Sequence, residues 1–195
     1  MAIDFDAPHE EPDPWGYATH WYEKRRRALI AALLPHEKLG RVLEIGCSTG
    51  MITQLLAARA THVLAVDVSA KAIELARHRL QGLENVEIVH ADITQDWPAQ
   101  SFDHILLCDV AYYLNEAQIS QLARNIRIQA SAECVLLLAH WRHAFAQVIT
   151  PAETAHVLIS EVTGFHGQAG YQDDDLLIDV LSASSISVAR KEGLL

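Results

Sequence analysis

The sequence predicts an α/β fold, a doubly wound and mainly parallel sheet, and three observations lead there. Strand-sized apolar runs alternate with helix-period stretches along most of the chain. The first run, Val42-Leu43-Glu44-Ile45, passes directly into Gly46-Cys47-Ser48-Thr49-Gly50 and a helical pattern over 51–60. Acids stand at or near the ends of three successive strands, at Glu44, Asp67 and Asp92. Open sheets of this kind bind ligands outside the carboxyl ends of their strands, so these residues mark the expected site.

The N-terminal part reads as an acidic tip over 1–13, then a turn at Asp13-Pro14-Trp15-Gly16-Tyr17. A helical pattern follows from about residue 19 to 34 and stops at Pro35, with Tyr22, Arg26, Leu29 and Leu33 on one face. A ring and a guanidinium on one face are suited to close over a ligand and pair its carboxylate. Strands are expected at 41–45, 62–67 and 86–91, with a helix over 70–81 ended by Gly82. A buried strand over 102–109 carries Asp109, Tyr112 and Tyr113 at its end, which makes Asp109 and Tyr113 the candidate acceptor-side polar groups. After a helix over 116–130, a fifth strand over 133–139 ends in His140-Trp141-Arg142-His143. A histidine there suits a general base near neutral pH. A short helix over 152–160 and a hairpin, 164–171 with 176–182 around Asp173-Asp174-Asp175, complete the chain, and fraying is expected from about 190.

Glycine spacing defines the ligand. A dinucleotide fingerprint requires glycines where this chain has Ser48 and Met51. Instead Glu44 precedes Gly46 by two residues, where it repels a pyrophosphate and attracts an ammonium. The loop therefore suits a zwitterion without phosphate, and a nicotinamide oxidoreductase is disfavoured. Asp67, about 20 residues beyond the first glycine, is placed to accept from ribose hydroxyls.

Composition sets further bounds. The chain has 195 residues, half of them hydrophobic, enough for one domain over 1–195 with disorder confined to the N-terminal tip. Its longest apolar runs are too short for a bilayer, and residues 1–13 carry no secretory pattern, so a cytoplasmic protein is expected. Cys47, Cys108 and Cys134 read as buried free thiols. A net charge of −10 opposes binding to nucleic acid or anionic membrane, and Lys24-Arg25-Arg26-Arg27 reads as a solvated helix face. His140, His143 and His156 lack zinc-helix spacing, and no metal is expected.

The loop resembles motif I of the class I S-adenosylmethionine (SAM) methyltransferases, with Ser48 at a position where that motif has glycine. Over most of its length the chain resembles the NodS-like family of these enzymes. The likeness rests on Asp13-Pro14-Trp15, Trp21-Tyr22-Glu23-Lys24-Arg25-Arg26, Leu43-Glu44-Ile45-Gly46-Cys47, Asp109-Val110-Ala111-Tyr112-Tyr113-Leu114, Ala139-His140-Trp141-Arg142-His143 and Tyr171-Gln172-Asp173-Asp174-Asp175. The resemblance implies a Rossmann-like seven-stranded sheet, order 3-2-1-4-5-7-6 with strand 7 antiparallel, and SAM as cofactor with S-adenosylhomocysteine as product. It implies cofactor contacts from Tyr22, Arg26, Glu44, Gly46, Cys47, Gly50, Asp67, Val68, Asp92, Ile93 and Asp109, with Asp92 at the adenine amino group. Asp109, Tyr113 and His140 are then expected to orient and deprotonate the amine of a small acceptor such as an amino sugar. The N-terminal helix is expected to cover the site in a monomer or weak homodimer. An O-methyltransferase and a catalytically silent SAM-binding partner are the alternatives.

Overall fold

A computed structural model describes residues 3–11 and 13–195. Along it run α1 (Trp21–Leu33), β1 (Gly40–Ile45), α2 (Met51–Ala57), β2 (Ala60–Asp67), α3 (Ala70–Arg79), β3 (Val86–His90) and β4 (Phe102–Cys108). Then follow α4 (Glu116–Gln129), β5 (Ala130–Trp141), α5 (Ala152–Thr163), β6 (His166–Gln172), β7 (Leu176–Ser182) and α6 (Val188–Lys191). The strands form one sheet in the order β3-β2-β1-β4-β5-β7-β6. The pairs within β3-β2-β1-β4-β5 are parallel, and β7 is antiparallel to both β5 and β6. The doubly wound class and the strand order implied by the resemblance are both present.

The apolar runs are continuous because the central strands are covered on both faces. Ile105 and Leu107 of β4 join Leu136 and Leu138 of β5 against Ile119, Leu122 and Ile126 of α4 and Ile159 of α5. On the other face Leu106, Leu137, Val42 and Val63 pack with Ile30 of α1, Leu56 of α2 and Ile73 of α3. Local chemistry sets the helix starts. The Ser69 hydroxyl accepts from the Ala72 amide, and Asn115 forms a reciprocal capping box with Gln118.

Several boundaries differ from expectation. β5 begins at Ala130, directly after α4, and α5 continues to Thr163 before Gly164 ends it in the left-handed conformation. A short helix extends past residue 190: Ser187 caps α6, and the Lys191 ammonium lies 3.0 Å from Glu133 and 3.1 Å from the His36 ring, while residues 192–195 are exposed. The N-terminal tip is also ordered over its described residues. A 3-10 turn at Ala7–Glu10 buries His9, and Phe5 packs edge-on against Tyr113 with ring centroids 5.1 Å apart. Residues 1, 2 and 12 lie outside the described set. No described helix is long and apolar enough to cross a membrane.

Candidate active site

The carboxyl ends of β1 and β4 meet at a narrow recess that opens to solvent. Gly46 makes the close approach possible: it has φ 78°, and a Cβ there would lie 2.2 Å from Val110 Cγ2. Of the residues expected from sequence, Arg26, Glu44, Gly46, Cys47 and Asp109 line this recess. Tyr17, Glu23, Arg27, Thr49, Met51, Ile52 and Cys108 line it too and were not expected. Glu23 carried a signal, its place three residues before Arg26 on a helix; Tyr17, in a turn, carried none.

The glycine turn is not an open nest of amides. Gly46 and Cys47 both donate to the Val66 carbonyl, at 2.8 and 3.0 Å, and Gly50 donates to Cys47. The Ser48 amide donates to Asp67 Oδ2 at 2.8 Å. Four donors that would cradle a phosphate are therefore used internally. Ser48 adopts φ 47°, rare outside glycine and a few small polar residues, and its hydroxyl lies 3.0 Å from His9 Nε2.

Two buried ionisable groups, one basic and one acidic, face the recess. Arg26, 3 % exposed, meets Asp109 Oδ2 through Nη2 at 2.5 Å as an ion pair and Glu23 through Nη1 at 3.4 Å, while its Nε has no partner. It points inward, so the expectation that the basic run forms a solvated face fails at this residue, because its charge is matched by the buried Glu23 and the partly exposed Asp109. Glu44, 1 % exposed, has an unpartnered Oε2. Burial pushes its carboxyl up to about 8, with the Thr53 hydroxyl pulling the other way and the Asp67 charge adding to the rise. Burial likewise raises the Glu23 carboxyl, against the pull of Arg26.

The remaining expected residues surround this centre. Asp67 accepts from Ser48 and from Ser69, the latter at 2.9 Å, which leaves one lone pair on each oxygen. Val68 beside it is exposed. Asp92 accepts from the amide and hydroxyl of Thr94, at 2.9 and 2.7 Å, with Ile93 buried next to it. Gly50 caps α2 at φ 79°, against the Leu80 side chain. Tyr22 packs edge-on to Trp141 at 5.1 Å, its hydroxyl buried without a partner, and Tyr113 lies among Phe5, Tyr112 and Phe145. Burial raises the Cys108 thiol to about 12 and the Cys47 thiol well above its ordinary value, so neither is a nucleophile at neutral pH.

His140 does not fit the role of general base. Its Nε2 accepts from the amides of Ala111 and Val110 at 3.0 and 3.3 Å, its Nδ1 bonds His156 at 2.8 Å, and its ring has no exposed surface. Burial and the neighbouring His156 keep the imidazole neutral, well below the usual histidine range. With both nitrogens engaged, no lone pair is open to an acceptor. His143 is separate, 2.7 Å from Asp175, and the described residues contain no cluster of three or more groups fit for a metal.

Sheet order and strand-end recess define a class, the Rossmann-like fold of the SAM-dependent methyltransferases. Within it, the family model "Nodulation protein S (NodS)" matches residues 6–181. The chain belongs to the NodS family. It is 28% identical over 155 residues to a nodulation protein S from Rhizobium tropici, covering 77% of this chain and 65% of that relative, just under two thirds of its length. A solved candidate methyltransferase from Pseudomonas syringae is 32% identical, with a TM-score of 0.75, covering 84% of this chain and 99% of that one. The N-methyltransferase NodS from Bradyrhizobium japonicum WM9, solved with S-adenosylhomocysteine, shares the fold at a TM-score of 0.78 and 24% identity, covering 90% and 94% of the two chains.

Proposed function

We propose that this chain is a SAM-dependent methyltransferase acting on the amine of a small acceptor, an amino sugar being the best fit. One observation carries the reading. A guanidinium with an unpartnered Nε and a carboxyl with an unpartnered oxygen, both buried, line the same recess. Each unsatisfied group costs the protein free energy on its own, and an amino-acid zwitterion satisfies both. Arg26 would hold its carboxylate and Glu44 its ammonium, with Asp67 at the ribose and Asp92 near the adenine. The residues present therefore fit the methionine end of SAM, which supplies an electrophilic methyl group when bound. Membership of the NodS family supports the same reading.

The chain's own work is alignment. Asp109 Oδ1 already accepts from the Trp141 amide at 2.9 Å and Oδ2 is paired with Arg26, so the carboxylate is fixed to receive an amine N–H. Tyr113 borders the same loop and presents an aromatic surface with Phe5 and Phe145. Holding the nucleophile in line at about 3 Å supplies several kcal/mol of barrier reduction. A neutral amine needs no protein base before attack, and the product ammonium loses its proton to water. A hydroxyl acceptor does need one, and the engagement of His140 removes the histidine suited to it, which favours N- over O-methylation.

Calorimetric titration with SAM, S-adenosylhomocysteine and NAD, followed by transfer from methyl-labelled SAM to glucosamine, tests the reading. Binding of the first two without NAD, and label in the sugar, is the expected result. Binding without transfer to any amine would instead indicate a silent SAM-binding protein. Asp67→Ala should weaken SAM binding about 30-fold, the worth of a hydrogen bond to a charged group. Unchanged affinity in that variant would remove the ribose assignment.

A further inference from the structure

We propose that His140, His156 and Asp179 form a hydrogen-bonded relay of fixed direction that sets the position of the acceptor loop 109–113, with His140 as a positioning residue. The proposal rests on the reading of Asp109 and Tyr113 as acceptor-orienting groups. Three elements supply the relay. His140 stands at the end of β5 on the face toward α5, His156 lies in the buried stripe of α5 with Ala152, Ala155 and Ile159, and Asp179 pairs in register with Leu138 from β7.

Backbone chemistry fixes its direction. The Ala111 and Val110 amides only donate, so His140 Nε2 carries a lone pair and its proton sits on Nδ1. That Nδ1–H donates to His156 Nε2 at 2.8 Å, which puts the His156 proton on its Nδ1 in turn. From there it donates to Asp179 Oδ2 at 2.7 Å. Asp179, its side chain 39% exposed, anchors the chain at the protein rim, while His140 and His156 are buried. Reversing the His140 tautomer would set an N–H against two amide N–H groups.

The loop needs such a hold. Asp109 has φ 56°, a conformation that costs a residue other than glycine about 1–3 kcal/mol unless its surroundings enforce it. β5 enforces it from three consecutive residues: the Asp109 amide donates to the Ala139 carbonyl, His140 receives Val110 and Ala111, and the Trp141 amide donates to Asp109 Oδ1. The His140 ring also lies edge-on to Tyr112, with centroids 5.3 Å apart. A side chain at the end of β5 thus determines where Asp109 and Tyr113 stand without touching an acceptor.

Three measurements test the relay. Two-bond proton–nitrogen NMR correlations at pH 7 should show the Nδ1-protonated tautomer for both His140 and His156; an Nε2-protonated or charged His140 would overturn the proposal. Amide exchange at Val110 and Ala111 should accelerate in His140→Leu and return toward wild type in His140→Gln, whose amide oxygen restores an acceptor. In turnover with labelled SAM and glucosamine, His140→Leu should lose about 100-fold in kcat with SAM affinity kept, the scale of an ångström-sized misplacement. His140→Gln should recover at least about tenfold of that loss, since an acceptor is restored and an imidazole is not. Equal defects in the two variants, or none in His140→Leu, would overturn the proposal. Should His140→Leu not fold, Asp179→Ala against Asp179→Asn at the rim makes the same comparison. Failure of the methyltransferase reading would appear separately, as absent transfer by the wild type, and the tautomer and exchange measurements would still decide the relay.

Discussion

Binding of SAM at pH 7 is expected to release close to one proton. The Glu44 carboxyl, raised to about 8 by burial, is mostly neutral before binding, and an ammonium ion placed against it drives it to ionise. Affinity should therefore climb with pH from about 5 and level off above 8, as proton loss ceases to oppose binding. Calorimetry in buffers of different ionisation enthalpy reads the proton directly. Glu44→Gln should abolish the release and weaken binding about 10- to 100-fold, the loss of one charge-assisted contact. Release equal to wild type in that variant would place the proton elsewhere.

The same group shapes the stability of the ligand-free protein. Its native pKa lies above its ordinary value, so across that interval the folded chain holds more protons than the unfolded one. Its contribution is whole below the ordinary carboxylate range and disappears as pH rises through about 8, a swing on the order of a few kcal/mol. Denaturant midpoints should fall between pH 5 and 8 in the wild type and change less in Glu44→Gln.

Replacing Arg26 by Gln is expected to have the second large effect, on stability and binding together. The change leaves the buried Glu23 and the partly exposed Asp109 without their cation, and breaking a buried pair from one side costs up to about 3–5 kcal/mol. For a chain of this size that is a fall of about 10 °C in Tm. Loss of a charged partner for the cofactor carboxylate should also raise the SAM Kd about 100-fold. Arg25→Ala, one residue away on α1, is the control. Arg25 also meets an acid, Asp173 at 2.8 Å, but near the surface, where water screens the pair, so melting and binding should be nearly unchanged. Similar losses in both variants would show that α1 matters as a whole and not through Arg26.

The contrast between these arginines was half legible in Lys24-Arg25-Arg26-Arg27: the helical period puts Arg26 on the face of Leu29 and Leu33, but does not show the acids that it meets there. What was legible had a local cause. Buried parallel strands read as apolar runs, and Gly46, which must approach Val110, was visible as an interruption between strand and helix. The recess followed from the glycine spacing and from Glu44. The relay was not legible, because its members come from β5, α5 and β7 and meet only when the sheet is complete. His140 was accordingly read as a base from its place at a strand end, whereas its partners commit both nitrogens. The docked N-terminal segment was missed for another reason: it is held by isolated contacts, Asp6 to Ser69, His9 to Ser48 and Phe5 against Tyr113, which leave no hydrophobic period to find.

The position of β7 also governs how the chain can fold. This strand comes after β6 in the chain but lies between β5 and β6, so the sheet stays divided until residues 176–182 have arrived. Until then both β5 and β6 expose open edges to other chains. Such long-range closure is slow compared with local helix formation, and an incomplete nascent chain is the species most exposed to aggregation. Asp179 arrives with the same strand, so the loop that bears Asp109 takes its final set only when the sheet is joined.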